Sequence, residues 1–154
     1  MVKEFRAFWP HYVVQSLLAT LAVFAVLCVL SLQEAVIIAS IGASVFVVFA
    51  MPNNVSAAPR NLVGGHVVGL LSGCVWSLVP HASPLMALVI YSLAVGCATF
   101  VMVVVDVEHP PAAGTALGVA IRGPSVGVTL AVVTSAIVLS LIHHYSKPYL
   151  KDLV

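Results

Sequence analysis

The chain has 154 residues, of which 62% are hydrophobic and only 7% charged, whereas soluble domains average about 25% charged residues. With so few polar residues to cover a core, and a mean hydropathy of +1.16, its natural solvent is lipid, and it reads as a small integral membrane protein. A net charge of +1, with Lys or Arg only at positions 3, 6, 60, 122, 147 and 151, leaves no basic patch and excludes nucleic acid as a partner.

A membrane helix needs about 20 apolar residues to cross a hydrocarbon core of roughly 30 Å. The first apolar run, residues 13–32, has that length and follows Lys3 and Arg6. It is too long for the h-region of a secretory signal and no A-x-A site follows it, so a retained helix is expected. Residues 35–51 are marginally short, rich in small residues, and end at Met51-Pro52-Asn53-Asn54. They are expected to form a broken or re-entrant segment. Spans are expected at residues 62–79 and 84–105, with Trp9, Trp76 and Tyr91 as interfacial anchors. Residues 112–121 make only about 15 Å of helix and follow a break at Glu108-His109-Pro110-Pro111, so a second re-entrant segment is expected there. A last span is expected at residues 126–143.

The predicted fold is therefore all-α: one integral membrane helical bundle over residues 1–154, with about four transmembrane helices and one or two short re-entrant or broken ones. Irregular backbone at membrane depth must be buried in protein or line a wet cavity. Charge bias places Lys3 and Arg6 in the cytoplasm. Four spans with two re-entrant pieces put Lys147 and Lys151 with them and Arg60 and Arg122 outside; five spans give the same tally with different members. Shifting the chain on itself by 74 residues lays Glu34 on Glu108, Ala39 on Ala113 and Val45 on Val119. Two similar units with interrupted segments at corresponding places point to a transport site. Cys28, Cys74 and Cys97 each sit singly in apolar runs, without a CxxC, and read as packing residues.

Two stretches carry a family resemblance. The first runs from Ile41-Gly42-Ala43-Ser44 through Met51-Pro52 to Ala58-Pro59-Arg60-Asn61-Leu62-Val63-Gly64-Gly65-His66; the second is Glu108-His109-Pro110-Pro111-Ala112-Ala113-Gly114-Thr115-Ala116-Leu117. In this order, with the spans between and after them, they resemble the HPP family of small bacterial and plastid membrane proteins, over roughly residues 40–141. The resemblance implies four transmembrane helices and a link to nitrite transport. Glu108 before the histidine departs from the family pattern, and the C-terminal regulatory domain of some relatives has no counterpart here.

Ionisable groups inside a membrane segment are costly, which makes Glu34, Arg60, His66, Asp106, Glu108, His109 and Arg122 the candidates for function. Pro110 and Pro111 suit a helix start. The first free amides of that helix, at its positive end, would attract an anion with His109 at the mouth; the plainer reading of HPP is a sharp turn. Pro59-Arg60-Asn61 repeats the arrangement, and Arg60 could meet an anion or pair with Glu34 or Glu108. Asn53 and Asn54, with Ser56, offer amide and hydroxyl groups to a small ion. Ser40, Ser44 and Thr115 do so from the small-residue segments, where close helix packing is the alternative, as it is for Gly64, Gly65, Gly69 and Gly73. The expected substrate contacts are thus His109, Pro110, Pro111, Arg60, Asn61, Asn53, Asn54, Ser44 and Thr115, with Glu34, Glu108 and Asp106 as charge partners or proton carriers. Arg122 in Arg122-Gly123-Pro124 reads as a loop charge and His143-His144 as an interfacial pair.

Asp106, Glu108 and His109 lack the spacing of a metal site, so no metal or cofactor is expected. No nucleophile and base pair is visible in the sequence, so an enzyme is not expected either. The leading expectation is a transporter or channel for a small inorganic anion, nitrite first, in a prokaryotic plasma membrane. It would act as a homo-oligomer, with the lipid bilayer and the anion as its partners. The alternative is a scaffold or interaction subunit with no pathway of its own.

Overall fold

The computed structural model describes residues 2–29 and 35–154; the expected role of Glu34 lies outside them. Six α-helices follow in order: α1 (Val2–Val29), α2 (Ala35–Ala50), α3 (Pro59–Ser77), α4 (Pro84–Val104), α5 (Pro111–Arg122) and α6 (Val126–Ser146). Short 3-10 turns occupy Val55–Ala57 and Lys147–Tyr149. No strand occurs among the described residues.

Local chemistry sets the helix ends. Pro59, Pro84 and Pro111 each stand at a first helical position, where the missing N–H costs nothing. The Ser83 hydroxyl accepts from the Met86 amide at 3.2 Å and the Ser125 hydroxyl from the Val128 amide at 3.1 Å, which caps α4 and α6. Gly123, at φ +79°, ends α5, and Pro124 follows it.

The contacts fix the direction of each helix. Along α2, Ile37 meets Gly118, Ser40 meets Gly114 and Thr115, and Ser44 reaches His109, so α2 and α5 run antiparallel. Gly65, Gly69 and Gly73 meet His109, Ala112 and Val119 in turn, so α3 and α5 run parallel. Ser72 bonds the Ala94 carbonyl while Met102 lies against Gly65, so α3 and α4 are antiparallel. Ile37, Ile41, Val45, Phe49, Leu62, Val119, Val132 and Leu139 form the main apolar core. A smaller core of Met102, Val107, Ala112 and Ala116 joins α4 to α5. Leu85, Phe100, Val126 and Leu130 remain exposed, as suits helices solvated by lipid.

Helices α4 and the segment Val126–Tyr149 have the length and hydropathy to cross a membrane; Phe8–Phe24 and Val36–Ala50 are apolar but shorter. Residues 35–51 differ from expectation. Ala35–Ala50 form one continuous helix of 16 residues, about 24 Å long, because Ala, Ser and Gly among β-branched residues do not break a helix that is packed on several sides. The chain breaks after it, at residues 51–58.

One end of the bundle gathers segments distant in sequence. The Leu153 amide donates to the Ala50 carbonyl at 2.9 Å, the backbone and side-chain amides of Asn53 donate to Asp152 at 3.1 and 2.9 Å, and His143 Nε2 donates to the Pro52 carbonyl at 2.8 Å. Gln15, buried on α1, bonds the Phe49 carbonyl and, at 2.9 Å, that of Lys151. The start of α1, the 51–58 and 105–110 connections and the C-terminal tail therefore share this end, and the 78–83 and 123–125 connections the other. This corrects the expected placement of Arg60, which lies at the end of the termini and not opposite them.

Candidate functional site

Where α2, α3 and α5 meet, five polar side chains are enclosed by apolar helices: Ser40, Ser44, His66, His109 and Thr115 are each at most 4% exposed. Ser40 and Ser44 stand four residues apart, on one face of α2. Thr115 lies one turn into α5, and His109 is in the connection that leads to it. Glycines allow the approach, since a Cβ on Gly65 would sit 2.5 Å from that of His109.

The Ser44 hydroxyl bridges the two rings, 2.8 Å from His109 Nε2 and 2.9 Å from His66 Nε2, and the ring centroids are 5.1 Å apart. His109 Nδ1 lies 2.7 Å from the Ser56 carbonyl, His66 Nδ1 2.9 Å from Thr115 Oγ1, and Thr115 Oγ1 2.8 Å from Ser40 Oγ, which also bonds the Pro111 carbonyl. The chemistry of these groups orders the protons. A carbonyl only accepts, so His109 carries its proton on Nδ1 and, in the neutral ring, Nε2 accepts from Ser44. With the one Ser44 hydrogen used, its oxygen receives the Nε2–H of His66, and His66 Nδ1 accepts from Thr115. The other acceptor open to Ser44, the Ser40 carbonyl, is more distant at 3.1 Å. Every buried polar atom of the cluster thereby has a partner, as burial requires; with the Ser40 hydrogen on the Pro111 carbonyl and the Thr115 hydrogen on His66, the Ser40–Thr115 contact is the one that carries no hydrogen in the neutral network.

The structure brings together His109, Ser44 and Thr115 of the predicted contacts and adds His66 and Ser40. Arg60, Asp106, Asn61, Asn53 and Asn54 are not part of this cluster, and each has a partner of its own. Arg60 pairs with Asp106 at 2.9 Å and with the Val105 carbonyl at 3.1 Å, at the surface; among the described residues its carboxylate partner is thus Asp106 rather than Glu108. Asp106 takes a left-handed backbone conformation, φ 58°. Asn61 donates to the Glu108 carbonyl at 3.2 Å, Asn53 holds Asp152, and Asn54 accepts from the Ser56 amide at 2.9 Å, capping the 3-10 turn.

The expected ring of free amides at the tip of α5 also needs correction. Pro110 and Pro111 have no N–H to offer. The next two amides, of Ala112 and Ala113, donate to the carbonyls of His109 at 2.8 Å and Pro110 at 3.1 Å. The two prolines form the tight turn that aims His109 inward. Ser44 and His109 have the spacing of a nucleophile and its base, though both are fully enclosed. Among the described residues no three His, Cys, Asp or Glu side chains are grouped to hold a metal ion. The grooves described on the surface run along α1 and are mainly apolar, lined by Tyr12, Gln15, Phe46 and Phe49 near the tail and by Ala19, Val23 and Gly42 farther along.

His66 and Ser40 stand among the sequence candidates but not among the expected contacts; the signal that sets them apart is two serines spaced i, i+4 in an otherwise apolar helix and a histidine that follows packing glycines. Compared with known families, residues 5–146 match the model described as HPP, transmembrane region. No curated protein and no solved structure matches the chain.

Proposed function

We propose that this chain, which belongs to the HPP family of transmembrane proteins, moves a small inorganic anion, nitrite first, through the buried Ser40–Ser44–His66–His109–Thr115 cluster. The observation that carries the reading is the cluster itself. Two imidazoles and three hydroxyls held within an apolar bundle are costly, and a purely structural helix contact needs none of them. Nitrite accepts hydrogen bonds, and the donors available are the N–H groups of His66 and His109 and the three hydroxyls. In the described state those donors serve internal acceptors, so transport requires a second state in which the connection bearing Ser56 moves and releases His109 Nδ1–H. Arg60, at the surface beside the same connection, gives an incoming anion its first attraction. The cluster performs no covalent chemistry in this reading.

In a prokaryotic plasma membrane α1, α3, α4 and α6 are the four full-length spans, and α2 and the 12-residue α5, about 18 Å long, carry the chain between the two ends as shorter inner helices. Both termini and Arg60 face the cytoplasm, and the protein works as a homo-oligomer. A second reading, a scaffold without a pathway, is favoured by the completeness of the hydrogen bonding and by the apolar grooves along α1, which suit assembly.

Flux decides between them. Purified protein in liposomes should carry nitrite above empty vesicles, with nitrate and chloride as comparisons, and His109→Ala should lower that flux by at least about tenfold, the loss expected for a transition-state contact of about 1.4 kcal/mol. Folded, inserted protein that carries none of the three anions would favour the scaffold.

A further inference from the structure

We propose that the Ser44-bridged pair of His66 and His109 is a proton-carrying site: one excess proton is passed between the two rings through the Ser44 hydroxyl. The inference deepens the transport reading, since it supplies that site with a coupling ion, but it rests on the geometry of the pair alone. The two Nε2 atoms face the same hydroxyl oxygen at 2.9 and 2.8 Å, and each Nδ1 faces a group that suits it in more than one protonation state.

The steps balance. In the neutral state His109 holds its proton on Nδ1 and His66 on Nε2. A proton supplied by water adds to His66 Nδ1; the Thr115 hydroxyl then accepts from that N–H and rotates its own O–H, which stays intact, to donate a hydrogen bond to Ser40 Oγ, while Ser40 keeps its bond to the Pro111 carbonyl. Next, the Nε2–H bond of His66 breaks as a new Ser44 Oγ–H bond forms. The former Ser44 Oγ–H bond breaks as the His109 Nε2–H bond forms. His109 is now the cation, donating to Ser56 and to Ser44, while Ser44 donates to His66 Nε2. In the neutral state and both cationic states every nitrogen and oxygen of the chain keeps a partner. A hydroxyl, donor and acceptor at once, is what such a relay needs between two imidazoles; an amide or a carbonyl at position 44 would favour one state.

The surroundings do not fix the charge on one ring. Helices α2 and α5 offer the pair only Ser40, Ser44 and Thr115, and α4 offers Met102, which lies against Gly65. On α3 the nearest charge is Arg60, which is paired with Asp106 of the 105–110 connection; these two side chains are 63% and 74% exposed. Glu108, in the same connection, is half-buried beside His109. On α6, His143 is turned to the Pro52 carbonyl. Two rings this close carry one proton far more readily than two.

The test is a pH titration of the full chain, labelled with 15N in its histidines and held in lipid nanodiscs, for the parent, Ser44→Ala and Ser44→Thr. In the parent the His66 and His109 resonances should move together as the pair takes up one proton, with the second uptake displaced by more than about one pH unit. Ser44→Ala should separate the two curves, and Ser44→Thr, which keeps the hydroxyl, should rejoin them. Movement of one ring alone through the first step overturns the proposal from the parent data, whether or not the variants fold. So does a Ser44→Ala titration that reproduces the parent, or the absence of proton uptake by either ring in folded protein. None of these outcomes depends on an anion being moved, so a coupled titration with no nitrite flux would remove the transport reading and leave the proton site.

Discussion

Thr115 has no exposed surface and stands within hydrogen-bond distance of both Ser40 Oγ and His66 Nδ1. Thr115→Val keeps its shape and removes the hydroxyl, leaving a buried imidazole nitrogen without a donor, a loss of about 1–3 kcal/mol. Arg60 forms a shorter-looking story in sequence, a guanidinium in a membrane protein, yet its pair with Asp106 is open to solvent and such pairs contribute roughly 0–1 kcal/mol. Thermal unfolding should therefore fall clearly for Thr115→Val and hardly at all for Arg60→Ala; equal shifts would mean that the buried network is not formed. Asp152 adds a pH dependence with a definite sign. The Asn53 side chain and then its backbone amide, with Lys147 nearby, hold its carboxyl below the usual carboxylate range. A lowered folded pKa means that its contribution to tail docking is complete above the ordinary value and is lost only as pH falls through the lowered one. The Leu153 amide, bonded to Ala50, should accordingly stay protected from hydrogen exchange across neutral pH and lose that protection in Asp152→Asn.

The contact of α3 with α5 depends on the absence of side chains. A Cβ on Gly69 would strike the Ala112 carbonyl oxygen, and one on Gly73 would lie 2.6 Å from Val119 Cβ; backbone on one side and a fully buried valine on the other leave little room to yield. Gly69→Ala is expected to destabilise by about 1–3 kcal/mol, whereas Gly96→Ala, with nothing within 4 Å of the new atom, should be neutral or stabilising by up to about 1 kcal/mol. Unfolding midpoints of the two variants check this, and a tolerant Gly69 would contradict the packing. This stripe was legible in the sequence, as was the helix start at Pro111, because glycine spacing and proline position act locally. Helix α2 was not: its length and small residues look like a break in isolation, and only the packing of α1, α5 and α6 around it explains a continuous helix. The pairing of His66 with His109 was hidden for a related reason. The two rings are joined through Ser44 of a third helix, and no local pattern reports a contact that spans three elements. The predicted anion tip of α5 failed on the same ground, since whether an N-terminal amide is free depends on the turn that precedes it.

At the scale of the whole molecule the six helices alternate in direction, and this decides how charge is distributed between the two ends. Lys3 and Arg6 lie in the first turns of α1, and Phe8, just after them, receives the Lys151 ammonium 4.3 Å from its ring centre. Arg60 belongs to the same end through Asp106, and Asn53 through Asp152. Of the six Lys and Arg in the chain, only Arg122 closes a helix at the opposite end. The bias is therefore stronger than the sequence alone suggested, and the proposed cytoplasmic placement of this end rests on it. Single cysteines at Asn54 and Asp152, introduced into a variant lacking Cys28, Cys74 and Cys97, should both react with a membrane-impermeant thiol reagent from the cytoplasmic side only, and one at His81 from the opposite side only. Labelling of position 54 from the side opposite position 152 would restore a re-entrant α2. It would also break the Asn53–Asp152 and Ala50–Leu153 contacts that tie the tail to the loop, and with them the enclosure of the His66–Ser44–His109 cluster against Ser56.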